Sequence, residues 1–253
     1  MIYPNATRRI KITLSYDGTA YHGWQVQPGL ITIQKVVEAI VTQIEGKPVK
    51  VAASGRTDAG VHAMAQVAAF SMGNPIPTEN LKQAMNRLLP TDIRILQAEE
   101  ASAAFHARFD AKSKIYEYRI WREEVCPPFD RLYVHHHPYP LDEPAMIAAA
   151  RLFEGEHDFS AFAAADPKDA LGHSKVRQIF YSVLQRRGSC LIYQVLGSGF
   201  LKHMVRNIVG TLIEVGKGNL NSEQVRKLME QTGGRCGATS PPQGLFLVRV
   251  NYE

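Results

Sequence analysis

Apolar and polar residues alternate over residues 8–16, with Ile10, Ile12 and Leu14 on one side. That period of two predicts a half-buried strand. Thr32 then precedes Ile33, Val36, Val37, Ile40, Val41 and Ile44. The stripe has helical spacing, with Thr32 placed as an N-cap and Gly46 as the stop. Residues 49–53 and 66–71 read as short strands on either side of a polar loop, 54–62. A second helix is predicted from Thr78, carrying Leu81, Met85, Leu88 and Leu89 and ending near Pro90; residues 93–97 follow as a strand. The order β-α-β-β-α-β is the split-βαβ, or ferredoxin-like, arrangement.

The remainder reads in the same way. Residues 114–122 alternate and are rich in Tyr and Ile, which predicts a strand. Residues 145–153 form an Ala-rich helix. Residues 176–187 and 190–196 are two strands split by Gly188-Ser189, a hairpin signal. Helices are expected over 200–215 and from Ser222, and a last strand over 245–252. The expected fold class is α/β (α+β): two ferredoxin-like halves, residues 1–110 and 111–253, with the Pro-rich stretch 126–140 as connector. Each half has enough strands for the two antiparallel sheets to merge into one.

Composition narrows the class. The 253 residues are 45% hydrophobic and 21% charged, near the globular average, which excludes a mainly disordered chain. No stretch approaches the roughly 18 apolar residues of a membrane helix. Residues 1–5 show no basic run leading into an apolar core, so no secretory leader is expected. The three cysteines, Cys126, Cys190 and Cys236, are far apart and form no CxxC pair, which fits a reducing cytoplasm better than a disulfide or zinc framework. The net charge is +5, with the surplus mostly after Gly155. That permits a polyanionic partner.

The most specific stretch is Ser54-Gly55-Arg56-Thr57-Asp58-Ala59-Gly60-Val61-His62, between two strands. Glycines allow a sharp turn and close approach of a ligand. Taken as bare residues, Asp58 reads as a turn-capping loop Asp with Arg56 as a surface charge nearby. The run His135-His136-His137 cannot direct three successive side chains at one metal, and no metal site is expected there. His62 and His106 read as packing or hydrogen-bonding residues.

The loop and its continuation, GRTDAGVHAMAQVAAF, resemble the catalytic-loop signature of the tRNA pseudouridine synthase A family. Four further segments match that family in order: Asp17-Gly18 with Tyr21-His22-Gly23-Trp24-Gln25; Phe105-His106-Ala107-Arg108-Phe109 with Tyr116-Glu117-Tyr118; Gly155-Glu156-His157-Asp158-Phe159; and residues 200–210. A near-terminal Pro241-Pro242-Gln243-Gly244-Leu245 completes the set. Together they span nearly the whole chain, which removes the false-positive risk of one short motif. The departures are Lys202-His203, where many members have two histidines, and Ser240, where Ala is common.

The resemblance implies the pseudouridine synthase fold, with a cleft between the halves, and an isomerase acting on uridines 38, 39 and 40 in the tRNA anticodon arm. No cofactor or metal is implied, and no P-loop or dinucleotide fingerprint is present. It further implies a cytoplasmic homodimer. Asp58 matches the catalytic aspartate, and Arg206 the cation that pairs with it, since a neighbouring cation favours an ionised carboxylate. Tyr116 matches the tyrosine that stacks on uracil, and Leu245 the apolar floor. Arg56 is the candidate for holding backbone phosphate or filling the gap left by a flipped base. Three roles are open to Asp58: attack at C1′, attack on the base, or removal of a sugar proton. Arg108, Lys112, Lys114, Arg177 and Lys202 are candidates for phosphate contacts, or plain surface charge. Two rivals stand beside this reading: an RNA-binding module without catalysis and a nucleoside hydrolase that releases uracil.

Overall fold

The structure, a computed structural model, describes residues 7–165, 172–231 and 233–253. Residues 1–5, read above for a leader, lie outside them. The chain divides into two compact units, Met1–Lys112 with Leu247–Glu253, and Ser113–Phe246.

In the first unit, β1 (Arg8–Tyr16) buries Ile10, Ile12, Leu14 and Tyr16, as its alternation requires. Helix α1 (Ile33–Glu45) starts where Thr32 Oγ1 accepts the Lys35 N–H at 3.4 Å, and it ends at Gly46, whose φ is +79°. Strand β2 (Ala52–Ala53), strand β3 (His62–Met72), helix α2 (Thr78–Leu88) and strand β4 (Ile93–Ala101) follow. Strand β1 lies between β4 and β3, antiparallel to both, with Ile12 opposite Ala98 and Ala68. Strand β2 pairs with the other side of β3. The order β4-β1-β3-β2 is the ferredoxin-like arrangement expected for this half.

Strand β10 (Leu245–Asn251) begins with the last two residues of the second unit and continues in the first, where it runs beside β3. The expected halves placed all of 111–253 in the second. The structure groups Leu247–Glu253 with the first unit instead. Its contacts explain why. The Lys112 N–H donates to Asn251 O at 2.8 Å, Tyr252 Oη donates to Ala107 O at 2.7 Å, and the Tyr252 ring packs 5.2 Å from Phe105.

The second unit runs β5 (Ser113–Trp121), β6 (His135–His136), α3 (Glu143–Ala150), a 3₁₀ turn (Arg151–Phe153), β7 (Gly155–Asp158), β8 (Val176–Arg187), β9 (Cys190–Gly197), α4 (Met204–Gly216) and α5 (Ser222–Met229). A 3₁₀ turn, Pro242–Gly244, leads into β10. The sheet order is β5-β9-β8-β7 with antiparallel neighbours. Residues 126–140 are not a connector between units. They lie within the second unit, where β6 pairs in parallel with β5, Val134 and His137 are buried, and Arg122 donates to the carbonyls of His137 and Tyr139. Helix α4 starts four residues later than the apolar pattern suggests, because His203 sits at φ +62° and breaks the helical run. Among the described residues no helix is long and apolar enough to cross a membrane.

Candidate active site

The Gly-bounded loop after β2 is fixed from behind by a chain of buried polar groups. Ser54 Oγ donates to Gln66 Oε1 at 2.6 Å. Gln66 Nε2 donates to Gly55 O at 3.0 Å and reaches Tyr16 Oη at 3.5 Å. Tyr16 Oη and Thr57 Oγ1 share a further hydrogen bond at 2.8 Å. All four side chains are buried. Burial pushes the Tyr16 hydroxyl up to about 12, so it stays a neutral donor near pH 7. Satisfied networks of this kind rigidify what they hold, and this one holds the residues on both sides of Arg56 and the residue before Asp58.

The loop is gripped from the front by residues 17–24. The Trp24 N–H donates to Thr57 O at 3.0 Å, and the Gly60 N–H to Tyr21 O at 3.3 Å. Gly23 has φ +82°, and a Cβ there would stand 2.5 Å from Thr57 O and 3.0 Å from the Asp58 carbonyl carbon. A Cβ on Gly18 would stand 2.0 Å from Val61 O. Only glycine allows this approach at either position. His62, at the base of the loop, is buried, and its Nδ1 accepts the Gly18 N–H at 3.0 Å with Asp17 Oδ1 3.1 Å away. It serves as the packing and hydrogen-bonding residue expected from the sequence. Within this frame the Val61 N–H closes a turn onto Asp58 O at 3.1 Å. Asp58 is half-buried and Arg56 exposed.

In the second unit, Tyr116 and Tyr118 lie one strand period apart on the buried face of β5. The Tyr116 ring meets Phe200 edge-on, with centroids 4.9 Å apart. Tyr118 Oη donates to Pro241 O at 2.8 Å, and Gly244 lies so close to the Tyr118 ring that an added Cβ would be 2.8 Å from it. Arg206, in the first turn of α4, donates from Nε to Ser240 O at 2.7 Å, while the Ser240 N–H donates to Arg206 O at 3.2 Å. The segment continues against α4: Thr239 Oγ1 donates to Asn207 Oδ1 at 2.6 Å, and a Cβ on Gly210 would meet Ala238 O at 1.9 Å. So α4 and β5 together fix residues 238–245, and with them Leu245, which is buried at the start of β10. Tyr118 is raised by burial and lowered by the Arg206 charge, with burial prevailing.

No group of three or more His, Cys, Asp or Glu side chains that could hold a metal occurs among the described residues. In the His135–His137 run, the rings of His135 and His137 are 5.9 Å apart, whereas His136 Nε2 turns away to Glu123 O at 3.0 Å.

Residues 12–110 and 149–253 match the family described as tRNA pseudouridine synthase. A curated tRNA pseudouridine synthase A from Solibacter usitatus is 64% identical over 97% of this chain and 100% of its own length. The chain belongs to the tRNA pseudouridine synthase family. Two further members, from Geotalea uraniireducens and a Geobacillus species, are 48% and 43% identical, each over at least 97% of this chain and 99% of its own. Among solved structures, the archaeal box H/ACA sRNP Nop10–Cbf5 complex aligns over 81% of this chain and 44% of that one, at 13% identity and a TM-score of 0.34.

In this synthase, Arg56 and Asp58 share one loop of the first unit, whereas Tyr116, Arg206 and Leu245 belong to the second. Arg206, Tyr118 and the segment leading to Leu245 form one cluster. The residues that sequence reasoning missed are the loop's supports. Tyr16, Gln66, Gly18 and Gly23 had a visible signal in part, since both glycines fall in the Asp17–Gln25 motif. Gln66 falls in the GRTDAGVHAMAQVAAF segment, whereas Tyr16 had no such signal, because nothing in its spacing brings it to Thr57.

Proposed function

We propose that this pseudouridine synthase isomerises the consecutive uridines on the 3′ side of the tRNA anticodon stem-loop, as a cytoplasmic homodimer, with Asp58 as its catalytic carboxylate. The observation that carries this is the Asp58 loop. A short Gly-bounded turn with one half-buried carboxylate is held in place by backbone contacts in front and a buried hydroxyl–amide network behind. Such preorganisation is what a group acting on one sugar or base carbon requires.

The reaction breaks the bond from C1′ to N1 of uracil, turns the base, and forms a bond from C1′ to C5. N1 gains a proton and C5 loses one, so the atoms balance without a redox partner. Asp58, ionised, supplies the negative group that meets C1′ or the base, or takes a sugar proton. Arg206 is assigned as the cation favouring that ionised form. Tyr116 is assigned to stack on the extruded uracil, Leu245 to underlie it, and Arg56 to the backbone or the vacated base position. These assignments rest on the family motifs; Tyr116 and Leu245 are buried, as core side chains also are, and Arg56 is exposed.

The test is incubation of the enzyme with a tRNA transcript carrying tritium at uridine C5, followed by mapping of the modified positions. The expected result is tritium release matched by pseudouridine in the anticodon arm. Free uracil in place of pseudouridine would establish the hydrolase instead. Binding without release would leave only an RNA-binding module.

A further inference from the structure

The segment Phe-His-Ala-Arg-Phe-Asp, residues 105–110, follows β4 and contains no residue assigned to the chemistry above. It presents Phe109 to solvent with 76% of its surface exposed. Leaving a Phe out of the core forgoes about 1.5–3 kcal/mol of burial, and here the backbone prevents the ring from turning inward. His106 Nδ1 accepts the N–H groups of both Arg108 and Phe109, at 3.1 and 3.3 Å. The His106 N–H donates to Asp110 Oδ2 at 2.9 Å, and the Asp110 N–H donates back to His106 O at 3.1 Å. Ala107 is fully buried with its carbonyl on Tyr252, and Arg9 Nε holds Phe105 O at 3.0 Å.

The ring is also backed. The His106 imidazole lies 4.3 Å from it, centroid to centroid, and the Arg108 guanidinium 5.9 Å from its centroid. Arg108 and Lys112 are both exposed, and neither forms an ion pair with any described residue. A rigid aromatic ring with the Arg108 cation beside it suits a base with its phosphate. Stacking on a pre-set ring costs little ordering entropy and tolerates any base, since every base has a π-face.

We propose that Phe109 is a stacking platform for an unpaired base of the RNA substrate, with Arg108 holding the adjoining phosphate. This rests on the reading of the protein as a tRNA-modifying enzyme. The test uses the full-length protein, an unmodified tRNA transcript, filter binding over a salt series, and sedimentation of the free protein. Phe109→Ala is expected to weaken binding roughly five- to a hundred-fold, and Phe109→Trp to restore it. Arg108→Ala is expected to make the plot of log Kd against log salt shallower by about 0.7–0.9, the slope for one phosphate. Phe109→Ala binding within twofold of wild type overturns the proposal. So does weakened binding that tracks a change in sedimentation, which would assign the ring to a contact between two copies of the chain. Tritium release by the wild type runs alongside: its absence would refute the enzyme reading itself, whereas its presence with unaltered Phe109→Ala binding would refute only the platform.

Discussion

Gly23→Ala separates backbone strain from displacement of the Asp58 loop. At φ +82° an alanine costs about 1–2 kcal/mol of conformational energy. Its Cβ would also lie 2.5 Å from Thr57 O, where ordinary contact begins at 3.4 Å, so the Thr57–Asp58 backbone must withdraw by about 0.9 Å. A misplacement near 1 Å costs on the order of a hundredfold in rate, or about 2.7 kcal/mol of transition-state stabilisation. Gly29 provides the control. Its φ is +74°, and an added Cβ meets nothing within 4 Å, so Gly29→Ala carries the strain without the push. Both variants should lower the urea midpoint. Only Gly23→Ala should lose about a hundredfold in single-turnover tritium release with enzyme in excess, with tRNA affinity largely kept. If Gly23→Ala turns over within threefold of wild type, or Gly29→Ala loses as much as Gly23→Ala, the idea that residues 17–24 position Asp58 is wrong.

Two more outcomes follow from the buried groups. Thr57→Val removes the partner 2.8 Å from Tyr16 Oη and should cost about 1–3 kcal/mol in urea unfolding; Tyr16→Phe with Thr57→Val should cost less than the two single changes summed, by about 0.5–3 kcal/mol, and strict additivity would mean the bond does not couple the two residues. His135 is depressed from 6.5 to about 4 by burial, so the unfolded chain takes up its proton first. Its contribution is therefore complete above pH 6.5 and is lost between 6.5 and 4, by at most about 3.4 kcal/mol. The urea midpoint of His135→Phe should fall less steeply over that window than that of wild type, and parallel curves would remove His135 from the acid response.

The legible parts of the fold are those that local chemistry decides. The alternation of β1, the Thr32 cap and Gly46 stop of α1, and the Gly188 hairpin between β8 and β9 all lie where the residues predict them. Strand β3 was read too short: it starts at His62 and is buried along most of its length, so it shows no alternation to mark its beginning. Strands β6 and β7 escaped because His135-His136 and Gly155-Glu156-His157-Asp158 have no apolar pattern of their own; each forms only because β5 or β8 offers it a pairing edge. The boundary between units followed the same logic. Prolines at 126–140 suggest a linker, yet the division falls at Lys112 and Ser113, and tertiary contacts carry the final strand from Leu247 onward to the first unit.

The candidate site was legible through motifs. Arg56 and Asp58 stand out as a charged pair between two glycines, and the glycines of residues 17–25 now have a physical reason in their closeness to residues 57–61. The network of Ser54, Gln66, Tyr16 and Thr57 was not legible. Tyr16 and Thr57 are joined by a single hydrogen bond across 41 positions, and no periodicity encodes such a meeting.

Asp58→Asn tests the central claim most directly. The amide keeps the size of the carboxylate and removes its charge. With tRNA labelled with tritium at uridine C5, the variant is expected to bind the transcript as wild type does and to release no tritium above background, even at saturating enzyme and long times. Release at a rate near that of wild type would contradict the assignment of Asp58 as the catalytic carboxylate.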